Sequence, residues 1–389
     1  MSHVLHFNLS RFYFVYYFFV GAFVPYWGLY LQSEKFSAAD IGILMSLFQI
    51  SRIIAPNFWG WLADHTAKRV VWIRLTAFLG LLGFVAVFWA HGFFWMFCVM
   101  AALSLFTSST LPLSESLTLA HLATTNGHYS RIRMWGSLGF IVASVVLGFW
   151  IDFSGIASLL WFLLGVQILL FVLTFKLPEA TVAPHAHDHF SIWQIVKQPN
   201  VLALLIGCAC MVTAHGVLYN FYSIYLAANG YNKGTIGLLW AVGVICEIGV
   251  FMWMPSLMRA LSLKNIMLIS LALAVLRFFV IGFAAHHLWI LILAQCLHAA
   301  TFGSFHAASV NVVAQFFNGR HQAKGQAIYN SVAYGVGGAL GGVLGGFTLQ
   351  YWGGETTFML SALFPLAGFL VMALWLKLPK NTQQVGLFS

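Results

Sequence analysis

The sequence predicts an all-α membrane protein, with twelve transmembrane helices in two pseudo-symmetric halves of six. Three observations carry that prediction. Of 389 residues, 61% are hydrophobic and only 7% are charged, whereas soluble domains average roughly 45–50% apolar and about 25% charged residues. So little polar surface cannot cover a body in water. The apolar runs are also long and continuous, as bilayer-crossing helices of roughly 20 residues require, and they do not alternate as barrel strands would. Finally, the chain repeats itself at an offset of 195 residues: Ile41-Gly42 recurs as Ile236-Gly237, Gly21 as Gly216, Tyr30 as Tyr225, Leu31 as Leu226 and Ile50 as Ile245.

The first predicted span, 11–31, begins at Arg11 and carries no cleavable signal pattern, so it reads as a retained helix. The span 39–62 holds Arg52 in mid-run and ends in a polar turn, followed by 70–91. The fourth, 93–121, contains Pro112, which weakens the helix just before Glu115. The fifth, 131–152, opens on Arg131 and Arg133, and the sixth, 156–177, is almost wholly apolar. The polar, proline-bearing stretch 178–199 then divides the chain. The expected organisation is an N-terminal bundle over 1–178, a cytoplasmic linker over 179–199 and a C-terminal bundle over 200–389. Six further spans follow at 200–229, 234–258, 264–286, 288–317, 324–350 and 354–377. The eleventh carries the glycine run Gly335, Gly337, Gly338, Gly341, Gly342, Gly345 and Gly346, a surface for close helix packing in lipid.

The net charge of +9 would suggest nucleic acid in a soluble protein. Here the basic residues lie between apolar runs and act as topology signals. One side collects Lys68, Arg69, Arg131, Lys176, Lys197, Lys264 and Lys377 among others, while the opposite side keeps only Lys35 and Lys233. Both termini are therefore expected in the cytoplasm. The five cysteines all sit in apolar runs, without disulfide or zinc spacing. His185, His187 and His189 read as a solvated linker rather than a metal site, and no metal is expected. No phosphate loop occurs, so ATP binding and hydrolysis by this chain are not expected.

Ionisable residues inside spans are costly in lipid and mark function by default. They are Arg52, Glu115, Arg133, Glu247 and Arg277, with His215, His298 and His306 adding imidazoles. Arg52 and Glu247 occupy equivalent positions of the repeat with opposite charge. Arg52 is read either as a site charge or as half of a structural ion pair, and Arg277 likewise. Tyr26 and Trp27 offer rings for stacking, against the plainer reading of packing residues. Glu247 could load and release a proton by alternating between buried and arginine-paired surroundings. His298 could relay that proton. An arginine fork suits a carboxylate, so mid-membrane Arg133 and Arg277 favour an anionic substrate. No nucleophile motif or metal spacing supports an enzyme.

The turn Gly60-Trp61-Leu62-Ala63-Asp64-His65-Thr66-Ala67-Lys68-Arg69 resembles the loop signature of the major facilitator superfamily, with His65 for the usual Arg or Lys and Ala67 for the second glycine. The resemblance implies two parallel halves with a substrate site between them near the midplane, and a gate formed by Asp64, Lys68 and Arg69. Glu115, Arg133, Glu247, Arg277 and His298 resemble the charged set of the lactose permease group. Thr301 stands where that group has a second acid, Gln295 where it has a lysine, and Phe140 where it has the sugar-stacking tryptophan. A nearer similarity is to the phenylpropionate permease family, through Pro25-Tyr26-Trp27, Arg52, Arg133-Met134-Trp135-Gly136-Ser137, Ala214-His215, Glu247, Arg277 and Gln295-Cys296-Leu297-His298. It implies proton-linked uptake of a small aromatic acid across a bacterial inner membrane, by a monomer without cofactor. Substrate contacts would come from Arg133, Arg277, Glu115, Tyr26, Trp27, Phe140 and His215, and proton coupling from Glu247 and His298. The alternative substrates are a sugar or a nucleoside. The partners expected are substrate, proton and lipid, with no nucleic acid.

Overall fold

The computed structural model describes residues 3–123, 129–180 and 192–378, and every regular element among them is helical. Twelve long helices follow the predicted spans closely: α1 (His3–Ser33), α2 (Ala38–Thr66), α3 (Arg69–Ala86, prolonged by a tighter turn to Trp89), α4 (Phe93–Ala123), α5 (Tyr129–Ser154), α6 (Ser158–Thr174), α7 (Pro199–Ala228), α8 (Lys233–Ala260), α9 (Leu263–Phe283), α10 (Leu288–Phe316), α11 (322–352) and α12 (354–375). A single turn, Trp193–Val196, precedes α7. The histidines of 185–189 lie outside the described residues.

Local sequence explains the boundaries. Ser37 caps α2 reciprocally: its hydroxyl accepts from the Asp40 N–H, and the Asp40 carboxylate accepts from the Ser37 N–H, each at 3.1 Å. Ser262 accepts from the Asn265 N–H at the start of α9. Pro199 opens α7 at a position that needs no amide hydrogen. Gly353, at φ 77°, separates α11 from α12 where apolar content alone would run on.

The helices form two compact units. The first holds α1–α6 and the opening turns of α8, Gly230–Ala241. Here α1 and α5 meet through missing side chains. Gly21 lies against the Phe140 carbonyl, Gly139 against that of Phe14, and Gly136 against the Tyr17 ring. The start of α8 belongs here because the Lys233 and Gly234 N–H groups donate to the Asp152 carboxylate at 2.9 and 2.8 Å, while Gly237 rests on the Ser144 carbonyl. The second unit holds α7, the rest of α8, and α9–α12. The glycine run of α11 does pack closely: Gly337 and Gly341 approach the Ala209 and Thr213 carbonyls of α7, and Gly216 of α7 faces Gly338 and Gly341. Two wide π-type turns interrupt helices of this unit, at Ala299–Ser304 in α10 and Ser331–Gly337 in α11.

Candidate functional site

Three groups of polar residues stand out, one at the α2–α3 turn and two inside the helical units. At the turn, Ala67 adopts a left-handed conformation (φ 52°, ψ 28°) that ends α2. Arg69, the first residue of α3, then turns back. Its guanidinium donates to Asp64 at 2.9 Å and to the Ser116 carbonyl of α4 at 3.3 Å. Lys68 is exposed. The sequence reading missed Glu179, whose two carboxylate oxygens accept from the Arg69 and Val70 N–H groups at 3.1 and 3.0 Å. A carboxylate there offsets the positive end of the helix dipole. Asp152 does the same at the start of α8. Neither partnership leaves a sequence signal, since the groups lie about a hundred residues apart in the chain.

In the first unit, Glu115 accepts a hydrogen bond from the Tyr129 hydroxyl at 2.9 Å. Arg133 lays its guanidinium 3.9 Å from the centroid of the Tyr17 ring, an approach that the absent side chain of Gly136 permits. Tyr13 lies edge-on to Tyr129, and Tyr16 edge-on to Tyr17. Glu115 and Arg133 thus meet at a tyrosine-rich face of α1, and Arg52 is exposed on α2. Tyr26 and Trp27 lie elsewhere and are wholly buried. The Tyr26 hydroxyl bonds the Ser144 and Lys233 carbonyls, and the Trp27 ring packs on Phe23, Tyr30 and Phe84. Phe140 is half-buried on α5.

In the second unit, Arg277 is completely buried. Its Nε donates to the Ala294 carbonyl at 2.7 Å and its Nη2 to Gln295 Oε1 at 2.8 Å. Its Nη1 reaches His298 Nδ1 at 3.1 Å, Thr301 Oγ1 at 3.2 Å and His215 Nε2 at 3.3 Å. All five partners can accept without a charge. His215 Nδ1 faces the Met211 carbonyl at 2.9 Å, so that nitrogen carries the hydrogen and Nε2 is left as the acceptor. His298 must likewise accept through Nδ1, because a guanidinium only donates. Gln295 and Thr301, the departures from the lactose permease pattern, are therefore the residues that satisfy Arg277. Glu247 of α8 packs against the π turn: a side chain on Gly303 would meet its Cγ at 3.1 Å. Phe302 stacks between His298 and His306, with centroids 5.3 and 6.2 Å away and rings within 5° and 9° of parallel. Tyr219 stands edge-on to His298 and Phe302.

A helical body of apolar spans with charged residues held inside it defines a multi-pass membrane transporter, not an enzyme. The chain belongs to the MFS_1 like family, whose model matches residues 6–360. It is 29% identical over 347 residues to a probable 3-phenylpropionic acid transporter of Escherichia coli, covering 88% of this chain and 90% of that one. It is 25% identical over 370 residues to the maltose permease of Geobacillus stearothermophilus, covering 94% and 93% of the two chains. Among solved structures, the nucleoside transporter NupG superposes with a TM-score of 0.84 at 19% identity, over 96% of this chain and 99% of that one. The fold is that of the major facilitator transporters.

Proposed function

We propose that the chain is a proton-coupled symporter that takes up a small aromatic carboxylate, such as phenylpropionate, across a bacterial inner membrane by alternating access. The observation that carries this reading is Arg133 lying on the Tyr17 ring, beside Tyr13, Tyr16 and Tyr129. A guanidinium fork bonds a carboxylate through two parallel hydrogen bonds, and neighbouring rings suit an aromatic body. The likeness to a probable 3-phenylpropionic acid transporter supports the same class. Glu115, held by Tyr129, sets the polarity of the pocket wall. Glu247 carries the proton, with an imidazole of α10 as its relay. Arg277 is already occupied by five partners, so it meets substrate only when one of them is exchanged. Asp64, Lys68 and Arg69 serve as the cytoplasmic gate, with both termini on that side, and the working unit is a monomer.

The second reading, a sugar or nucleoside permease, is favoured by the Glu115–Tyr129 pair, which could bond hydroxyls, and by the maltose and nucleoside transporters among the relatives. Purified protein in vesicles with an acid exterior separates them. Labelled 3-phenylpropionate should accumulate, unlabelled maltose or adenosine should not compete, and Arg133→Gln should abolish uptake. Glu247→Gln should stop accumulation against a gradient while leaving exchange. Uptake of adenosine or maltose without uptake of the acid would move the assignment to the second reading.

A further inference from the structure

Three imidazoles line the polar interior of the second unit, and their hydrogen bonds sort them. His215 Nε2 and His298 Nδ1 both accept from Arg277 Nη1. A proton added to either nitrogen would set N–H against N–H and a cation against the guanidinium, because arginine has no acceptor to offer. Neither ring can take a proton at that nitrogen while Arg277 keeps its place. His306, two turns further along α10, is bonded differently. Its Nδ1 lies 2.8 Å from the Tyr334 hydroxyl and 3.3 Å from the Tyr329 hydroxyl. A hydroxyl both donates and accepts, and its hydrogen can turn. When Nδ1 is bare, a tyrosine donates to it. When Nδ1 carries hydrogen, the same tyrosine accepts. The bond between Nδ1 and the hydroxyl is kept in either state.

We propose that His306, with Tyr329 and Tyr334, is the proton-exchanging imidazole of α10, a refinement that rests on the proton-coupled reading above. The step balances simply. An O–H bond of hydronium breaks, an N–H bond forms at Nδ1, and the tyrosine O–H turns from the nitrogen to let its oxygen accept; release reverses it. His306 and Tyr334 are half-buried whereas Arg277 and His215 are wholly buried, so His306 is the more open to water.

The surroundings are polar but hold few charges. From α11, Tyr329 and Tyr334 face the ring. On α10 itself, Phe302 stacks on it and separates it from His298. Cys208 of α7 donates to Ser309, one turn beyond His306, and Glu247 of α8 packs on Gly303, one turn before it. The carboxyl assigned to carry the proton thus abuts the same stretch of α10. The π turn Ala299–Ser304 lies between the two sets of imidazole bonds, and such turns are frequent at functional sites.

The test uses the full chain in vesicles, with labelled 3-phenylpropionate as the probe and two readouts: accumulation driven by an acid exterior, and counterflow exchange without a proton gradient. His306→Gln should lower driven accumulation by about a hundredfold, as loss of an acid–base group does, and retain counterflow. The double variant Tyr329→Phe/Tyr334→Phe, which keeps both rings, should show the same split and carries the test if His306→Gln does not fold. If the unaltered protein exchanges the probe but is indifferent to the gradient, the proton-coupled reading itself fails. If the unaltered protein accumulates and His306→Gln or the double phenylalanine variant does so equally, His306 is not the exchanging group.

Discussion

Ala67 shows how one methyl group bears on the α2–α3 turn. Its left-handed backbone brings the β-carbon towards the following carbonyl, at a cost of roughly 1–2 kcal/mol that glycine escapes. The superfamily signature that this turn resembles has glycine there, so the strain accompanies the departure. Ala67→Gly is expected to raise the midpoint of thermal unfolding, by about 1 kcal/mol of stability, and to leave the Asp64–Arg69 pair in place. A thermal melt of the purified protein checks it, and a lowered midpoint would contradict it. The turn was legible because its residues are consecutive. Glu179, which completes it, was not: its role depends on α6 delivering the chain to the start of α3, and the sequence reading placed it in the linker. Arg277 was legible as a mid-membrane charge, yet not its satisfaction by neutral groups. That rests on the tautomer of His215 and on Gln295 and Thr301, residues that attract notice only as departures from a pattern.

At the scale of elements, length and apolar content located all twelve helices, because crossing a bilayer demands both. What those signals could not reveal is local winding. The π turns in α10 and α11 leave hydrophobicity unchanged while altering which side chains face inward. Nor does a glycine in the sequence declare whether it sits at an interface. Gly139 does: a β-carbon there would collide with the Phe14 carbonyl of α1, a backbone atom that cannot swing aside. Gly80 differs, since its nearest neighbour is the Thr107 methyl at 3.1 Å, the end of a rotatable side chain. Gly139→Ala should therefore destabilise by about 3 kcal/mol or more, the upper range for overpacking, and lose detergent-stable protein. Gly80→Ala should cost little. Melting both variants in parallel decides the matter, and equal behaviour would deny the close α1–α5 approach.

For the whole molecule, the expected orientation in the membrane rests on where the sequence puts its cations. The 29 residues of α2 span about 43 Å at 1.5 Å per residue, more than the roughly 30 Å hydrocarbon core. Lys35, just before this helix, and Lys68, just after it, must then lie on opposite sides, and both are exposed. The predicted spans assign most of the basic residues to the side of Lys68. Retention of cations on the cytoplasmic face predicts Lys68 inside and Lys35 outside. Single cysteines test this in a chain whose Cys98, Cys208, Cys210, Cys246 and Cys296 have been replaced by serine. In intact cells, a membrane-impermeant maleimide should label Lys35→Cys at once and Lys68→Cys only after the membrane is opened. The reverse pattern would invert the topology. It would also move the Asp64–Arg69 turn to the outer face, where it could no longer gate the cytoplasmic side.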